Sequence, residues 1–464
     1  MAHKDNEVKN IMAVLAMAFM SFVGILTETS LNVTFPTMMK QFGVTLDVIQ
    51  WTTTGYLLMI AIIMLASSYL NKRFTARQQF IAACLTFIAG SLISAVAPNF
   101  ALLLLGRLIS AFGAGLSTPL MFNLIVEIMP RPKWGFYMGI AGLVVAMAPT
   151  LGPAFGGAIN YYFNWRWIFI LVSVFALIVF LCGLAVVKKY HEIQKEKFAW
   201  LNFLILSLAL ISLTVGLNQI SHGLNNWLLW VLLVLCGLLF GLFIYLSKTT
   251  ANNIIDLKVF KQKGFIFGTL AYFLLQFINI GTSFVLPNYI QIVGKQTSLV
   301  GGLILLPGSI LAGVLNPYFG RLYDRLGAKL PLYLGGGLVT VSGVLFAVFG
   351  MNLTSLMIII FYGVLMLGHR MAFSNTLAET LKLQESNLQA DATAICQTSQ
   401  QLAGSIGTTI LAAIIAIWQN KNNAPYSVLT AQGSQAAFVM TTILGLIILF
   451  SYWKLFRIEK LENK

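Results

Sequence analysis

Of the fourteen acidic residues in this 464-residue chain, Glu28 alone lies well inside an apolar run long enough to cross a membrane. An uncompensated carboxylate at that depth costs roughly 2.5–3.5 kcal/mol on insertion scales. Taking up a proton removes the cost, and an approaching cation favours the ionised form instead, so a carboxyl in this setting can trade a proton against a cation. Arg107 is the one basic residue read as deep in a run. Glu28 stands about seventeen residues from the inner end of its run and Arg107 about eight from the outer end of its own; at 1.5 Å per helical residue their depths match. A Glu28–Arg107 pair, direct or through water, is therefore the first candidate for proton coupling. The same pair could instead only satisfy two buried charges and lock two helices together.

Other polar residues in apolar runs are candidates for lining a cavity. Asn32 follows Glu28 by one helical turn, within reach of its carboxylate or of a ligand, and equally suited to helix packing. Tyr56, Phe273, Gln276, Phe277, Asn279 and Gln400 supply aromatic walls and a few amides, a lining that suits flat amphipathic ligands, although each alone also fits core packing. Glu127, just before Pro130, reads as the inner end of a run. His3, His191 and His222 read as tail or loop residues, and His369, beside Arg370 near the inner end of its run, as structural. Cys84, Cys182, Cys236 and Cys396 have no metal-ligand spacing and read as packing thiols. There is no GxxxxGK[ST] motif, so no nucleotide or cofactor is expected, and the energy must come from an ion gradient or from the substrate's own.

The elements that carry these residues follow from composition. The chain is 58% hydrophobic and 9% charged, with mean hydropathy +0.85, against about 25% charged in a soluble domain. Apolar runs of helical length recur near 11–35, 51–70, 79–97, 99–126, 136–160, 166–187, 199–219, 227–247, 264–286, 298–320, 331–350, 354–376, 398–418 and 434–454. The alternating ten-residue segments of a β-barrel are not visible. The net charge of +15 is scattered through short connections rather than gathered on one arm, which argues against a nucleic-acid reader. The N-terminal MAHKDNEVKN enters an apolar run without a small-residue cleavage site, so the first run reads as a spanning helix rather than a signal peptide.

Fourteen spans place both termini on one side. Calling that side cytoplasmic puts 24 of the 29 Lys and Arg there, with Lys40, Arg166, Lys295 and Lys421 outside and Arg107 within a span. The longest inner connections are Val187–Phe198, Ser247–Lys263 and Leu377–Gln397. SSYLNKRFTAR after the second run and GRLYDRLGAK after the tenth form an internal repeat when Ser68 is aligned with Gly320. The expected organisation is a six-helix bundle over 11–187, two inserted helices over 199–247 and a second six-helix bundle over 264–454.

Together these features resemble the fourteen-helix drug:proton antiporters of the major facilitator superfamily, the QacA, EmrB and LmrB type, over essentially the whole chain. LTETSLNVTFP at 26–36 is similar to the family's first-helix signature at Glu28, Asn32 and Pro36. GRLISAFGAG at 106–115 keeps Arg107 and Gly113 of the fourth-helix pattern, with Ser110 and Ala111 in place of its Gln and Gly. APTLGPAFGG at 148–157, with Pro149, matches the antiporter signature at Gly152, Pro153, Gly156 and Gly157, and NWRWIF at 164–169 is typical of the fourteen-helix branch. The loop signature is intact at Gly320, Asp324, Arg325 and Gly327; in the first half Arg73 is kept, but Lys72 replaces its Asp and Thr75 its Gly.

The resemblance implies an all-α major facilitator fold and an exporter of lipophilic or cationic drugs rather than an enzyme. It implies a bacterial cytoplasmic membrane protein driven by protons and acting as a monomer, with the span 5 glycines sealing the halves and the loop residues gating them. A lipid or lipopeptide flippase and a specific metabolite exporter of the same fold are the competing readings, and an importer is a third.

Overall fold

The computed structural model describes residues 2–130, 133–188, 198–249, 254–385, 388–421 and 424–462. Parts of four connections expected on the inner side, 131–132, 189–197 with His191, 250–253 and 386–387, lie outside the described residues, as does the side chain of His3. The described residues form fourteen helices long and apolar enough to span a membrane. They are span 1 (Lys9–Leu31), span 2 (Leu46–Ser67), span 3 (Ala76–Val96), span 4 (Phe100–Ile128), span 5 (Phe136–Tyr162), span 6 (Arg166–Val186) and span 7 (Trp200–His222). There follow span 8 (Trp227–Thr249), span 9 (Lys263–Ile292), span 10 (Ser298–Leu326), span 11 (Lys329–Phe349), span 12 (Ser355–Lys382), span 13 (Gln389–Gln419) and span 14 (Tyr426–Leu461). Helices satisfy their own backbone groups, which is what hydrocarbon demands of a spanning segment.

Short connections are punctuated where the sequence offers caps. Thr75 and Gln78 form a reciprocal capping box at the start of span 3, Asn99 caps span 4, and Thr354 caps span 12. Gly43 closes the short helix Phe35–Phe42 at φ +63, a left-handed turn that glycine adopts without a side-chain clash.

Each half packs by the same scheme. In the first, spans 1·4, 1·5, 1·6, 2·4, 3·4 and 3·6 are in contact; in the second, spans 9·12, 9·13, 9·14, 10·12, 11·12 and 11·14 are. Adding eight to each number of the first set gives the second, so the repeat in the sequence is a repeat in packing. Spans 7 and 8 pack against each other, and span 7 lies along spans 2 and 13. The halves meet along spans 2·13 and 5·10, two contacts that the same rule exchanges.

Several boundaries differ from the sequence reading, and three of them bear on the site. Span 1 stops at Leu31 and residues 32–34 turn, because Pro36 has no N–H for the Asn32 carbonyl four residues back and its ring crowds that carbonyl, while its fixed φ suits the first turn of a new helix. Span 12 runs to Lys382 and the next helix begins at Gln389, so most of the expected Leu377–Gln397 connection is helical. Its Ala, Leu, Glu and Gln residues are polar enough to end a hydropathy run but remain strong helix formers. His369 and Arg370 consequently lie midway along span 12 rather than near its inner end.

Candidate transport site

Both charged candidates are buried, Glu28 at 3% and Arg107 at 0% exposure. They lie within electrostatic reach of each other, but no direct ion pair or hydrogen bond joins them among the described residues. Arg107 is instead anchored to span 2: its Nε donates to the Thr52 carbonyl at 3.0 Å, and its guanidinium carbon sits 3.6 Å from the centre of the Tyr56 ring. The Tyr56 hydroxyl donates to the Gly24 carbonyl of span 1 at 3.0 Å, one turn before Glu28. Tyr56 therefore lies under Arg107 as a fully buried platform rather than on an open cavity wall. The two terminal nitrogens of Arg107 are buried without a partner, so its fork remains available to an oxygen acceptor. Glu28 has no hydrogen bond to any described residue.

Asn32 does not serve the carboxylate. It stands in the break after span 1, where its side-chain oxygen accepts from Thr53 Oγ1 at 3.0 Å. The same break receives donors from the second half: Asn288 Nδ2 reaches the Asn32 carbonyl at 3.4 Å and Gln291 Nε2 the Val33 carbonyl at 2.7 Å. Lower in the interface, Thr54 Oγ1 lies 2.8 Å from Thr408 Oγ1 and 3.1 Å from Thr409 Oγ1, and Ser405 Oγ donates to the Thr54 carbonyl at 3.1 Å. These inter-half bonds gather toward the end opposite the two termini.

The span 5 glycines make the same closure possible. Side chains at Gly152 and Gly156 would collide with Thr29 and Ser30 of span 1, and one at Gly157 would come within 2.5 Å of the Ser298 carbonyl oxygen of span 10. Gly302 of span 10 faces the Pro153 carbonyl as closely, and Ser298 Oγ donates to the Gly157 carbonyl at 3.2 Å. Toward the termini the two helices separate. Gly139 and Gly142 of span 5, and Gly313 and Gly320 of span 10, have open space where a Cβ would be.

In the second half, Gln276, Asn279 and Phe277 are buried in span 9, and neither amide makes a hydrogen bond to a described residue. Phe273 is partly buried and packs on the second-half core. Gln400 is engaged, its oxygen accepting from the Tyr272 hydroxyl at 2.7 Å. The residues expected in gating loops are helical: Arg73 ends the helix of span 2, Gly320, Asp324 and Arg325 lie in the last turns of span 10 with both charges exposed, and Gly327 turns the chain at φ +75. At this end the buried Glu379 accepts from Tyr323 and sits 3.2 Å from Lys382. Lys72 lies within electrostatic reach of Asp391 at the start of span 13.

Sequence reasoning missed Arg370. Counted as a cytoplasmic charge, it lies midway along span 12, its Nε buried and without a partner. The signal was present in the extended helix-forming run that follows it.

The Major Facilitator Superfamily model matches residues 17–408. Over 461 residues the chain is 33% identical to the lincomycin resistance protein LmrB of Bacillus subtilis (strain 168), covering 96% of this chain and 95% of that one. It is 26% identical to the multidrug resistance protein B homolog of Mycobacterium tuberculosis (strain ATCC 25618 / H37Rv), covering 83% of this chain and 73% of the relative. Among solved structures, a bacterial homolog of the human lysosomal transporter Spinster superposes with TM-score 0.72 at 13% identity, covering 97% of both chains. A peptide transporter POT superposes with TM-score 0.70 at 16% identity, covering 96% of this chain and 95% of that one.

Proposed function

The chain belongs to the major facilitator superfamily, and on that premise we propose that it exports lipophilic or cationic small molecules across the bacterial cytoplasmic membrane in exchange for protons. It is a multi-pass membrane transporter of small molecules, not an enzyme. Relatives named for lincomycin and multidrug resistance support drugs as the cargo.

The observation that carries the proton half is Glu28. It is an intramembrane carboxyl with no hydrogen bond to a described residue, beside an arginine whose terminal nitrogens are free. Arg107 is held by Thr52 and Tyr56 whether or not Glu28 is charged, so it can stabilise the carboxylate without having to be recruited. Protonation of Glu28 releases it from that attraction; binding of a cationic substrate near it favours loss of the proton. One site then alternates between two cargoes.

The positive-inside pattern supports placing both termini in the cytoplasm. With that orientation the glycine-lined contact of spans 5 and 10 is an outer seal and the separated ends face the cytoplasm. The resting shape is one from which substrate enters. No cofactor is required, since the proton gradient supplies the work, and each copy of the chain holds a complete site and acts as a monomer.

Reconstituted vesicles with an imposed pH gradient test this. Wild type is expected to accumulate an ethidium-type cation against its gradient, and Glu28→Gln to lose all accumulation while keeping its melting temperature. Gradient-driven accumulation by the glutamine variant would place the coupling group elsewhere.

A further inference from the structure

Arg370 is residue 16 of the 28-residue helix that forms span 12, so it lies about 18 Å or more from either end at 1.5 Å per residue. Yet it has no hydrogen bond or ion pair with any described residue, and its Nε is sealed off without a partner. Apart from its neighbour His369, the described titratable group that acts on it is the Tyr362 hydroxyl, and no described carboxylate pairs with it. The nearest acid along the helix, Glu379, is occupied by Tyr323 and Lys382. Arg107 in the first half has a carbonyl, an aromatic face and Glu28; Arg370 has no equivalent.

The surroundings offer room and a wall. Leu367, Arg370, Ser374 and Ala378 recur at helical spacing on the less buried stripe of span 12, with Ser374 exposed one turn beyond the arginine. A guanidinium on a lipid face would be costly, which favours a stripe turned toward the space between the halves. Beside it the rings of His369 and Phe373 stack at 4.8 Å, and Phe373 stacks on Tyr272 of span 9 at 4.3 Å. The Tyr272 hydroxyl donates to Gln400, and with Tyr272 and His369 both buried, Phe373 is the partly exposed ring of the three.

We propose that Arg370 docks the negatively charged head of a substrate, and that the pathway accepts amphiphiles carrying a carboxylate whose apolar body packs against Phe373. This rests on the transporter reading and widens its cargo: Glu28 serves a cationic group in one half, Arg370 an anionic one in the other. A carboxylate matches the guanidinium fork with two parallel hydrogen bonds and supplies the missing counter-charge.

The test is a fluorescence titration of the full chain, purified in a neutral maltoside detergent, with dansylaminoundecanoic acid and separately with its methyl ester. Wild type is expected to bind the acid at least tenfold more tightly than the ester. Arg370→Gln should bring the acid down to the ester's affinity and leave the ester unchanged, and Arg370→Lys should keep part of the preference. Equal affinity of wild type for acid and ester overturns the proposal, as does an Arg370→Gln protein that still prefers the acid. If the glutamine variant does not fold, the wild-type ratio and the lysine variant decide. The titration needs no gradient, so a failure of proton coupling appears in vesicles and leaves it untouched; Glu28→Gln should keep the acid preference.

Discussion

At the residue scale, the feature that distinguishes this membrane interior is how its two central cations are held. Arg107 rests on the Tyr56 ring at 3.6 Å, a desolvated cation–π contact of a kind that contributes about 2 kcal/mol, and its Nε is tied to a backbone carbonyl. Its fork is thereby aimed while two nitrogens stay free. The platform and its tether can be separated. Tyr56→Phe keeps the ring and loses only the 3.0 Å bond to Gly24, so it should cost about 0.5–1.5 kcal/mol of stability and leave cation export within twofold of wild type. Tyr56→Ala removes the ring and should lower gradient-driven export at least tenfold. Melting curves beside vesicle transport check both; equal transport by the two variants would mean that Arg107 does not need the ring.

At the element scale, what matters is where helices touch and where they part. Span 5 has no room for side chains at Gly152, Gly156 and Gly157 against spans 1 and 10, and ample room at Gly139 and Gly142. Overpacking a tight contact typically costs about 1–3 kcal/mol, and here the strain falls on the joint between the halves. Gly157→Ala should therefore loosen the joint and raise passive dye leak through vesicles severalfold without a gradient, whereas Gly139→Ala should change nothing. Matching leak rates for the two would show that the glycines of span 5 do not form the seal.

The same elements show which parts of the molecule could be read in advance. Fourteen spans were legible because hydrocarbon imposes one length and one composition, and every expected run meets a helix. Close approach at Gly152, Gly156 and Gly157 was legible because a motif built of glycine has no other physical use in a helix. Facing was not. Asn32 turns to Thr53 because the helix breaks before it, and Tyr56 turns under Arg107 because span 2 crosses span 4 there. Arg370 was misplaced because hydropathy ends a span where polar residues begin, whereas the helix ends where its backbone finds a stop at Leu383.

At the scale of the whole molecule, the inter-half bonds around Asn32, Thr54 and Gly157 close one end while spans 5 and 10 separate at the other. A structure closed at one end only can exchange cargo without a continuous pore, and the energetics then depend on the net charge moved per cycle. One proton entering contributes about 2.3 kcal/mol per 100 mV of membrane potential and about 1.4 kcal/mol per pH unit. Only one carboxyl, Glu28, lies deep in the first-half spans beside a free guanidinium, so the cycle should carry one proton. Exchanging it for a monovalent cation cancels the electrical contribution and leaves about a tenfold gradient per pH unit. Export of such a cation should respond to pH and be flat in voltage at fixed pH; a neutral substrate should respond to both. Potassium-clamped vesicles separate these cases. A steep voltage dependence for a monovalent cation would require a second proton, and Glu127 or Glu379 would then be the next carboxyls to replace.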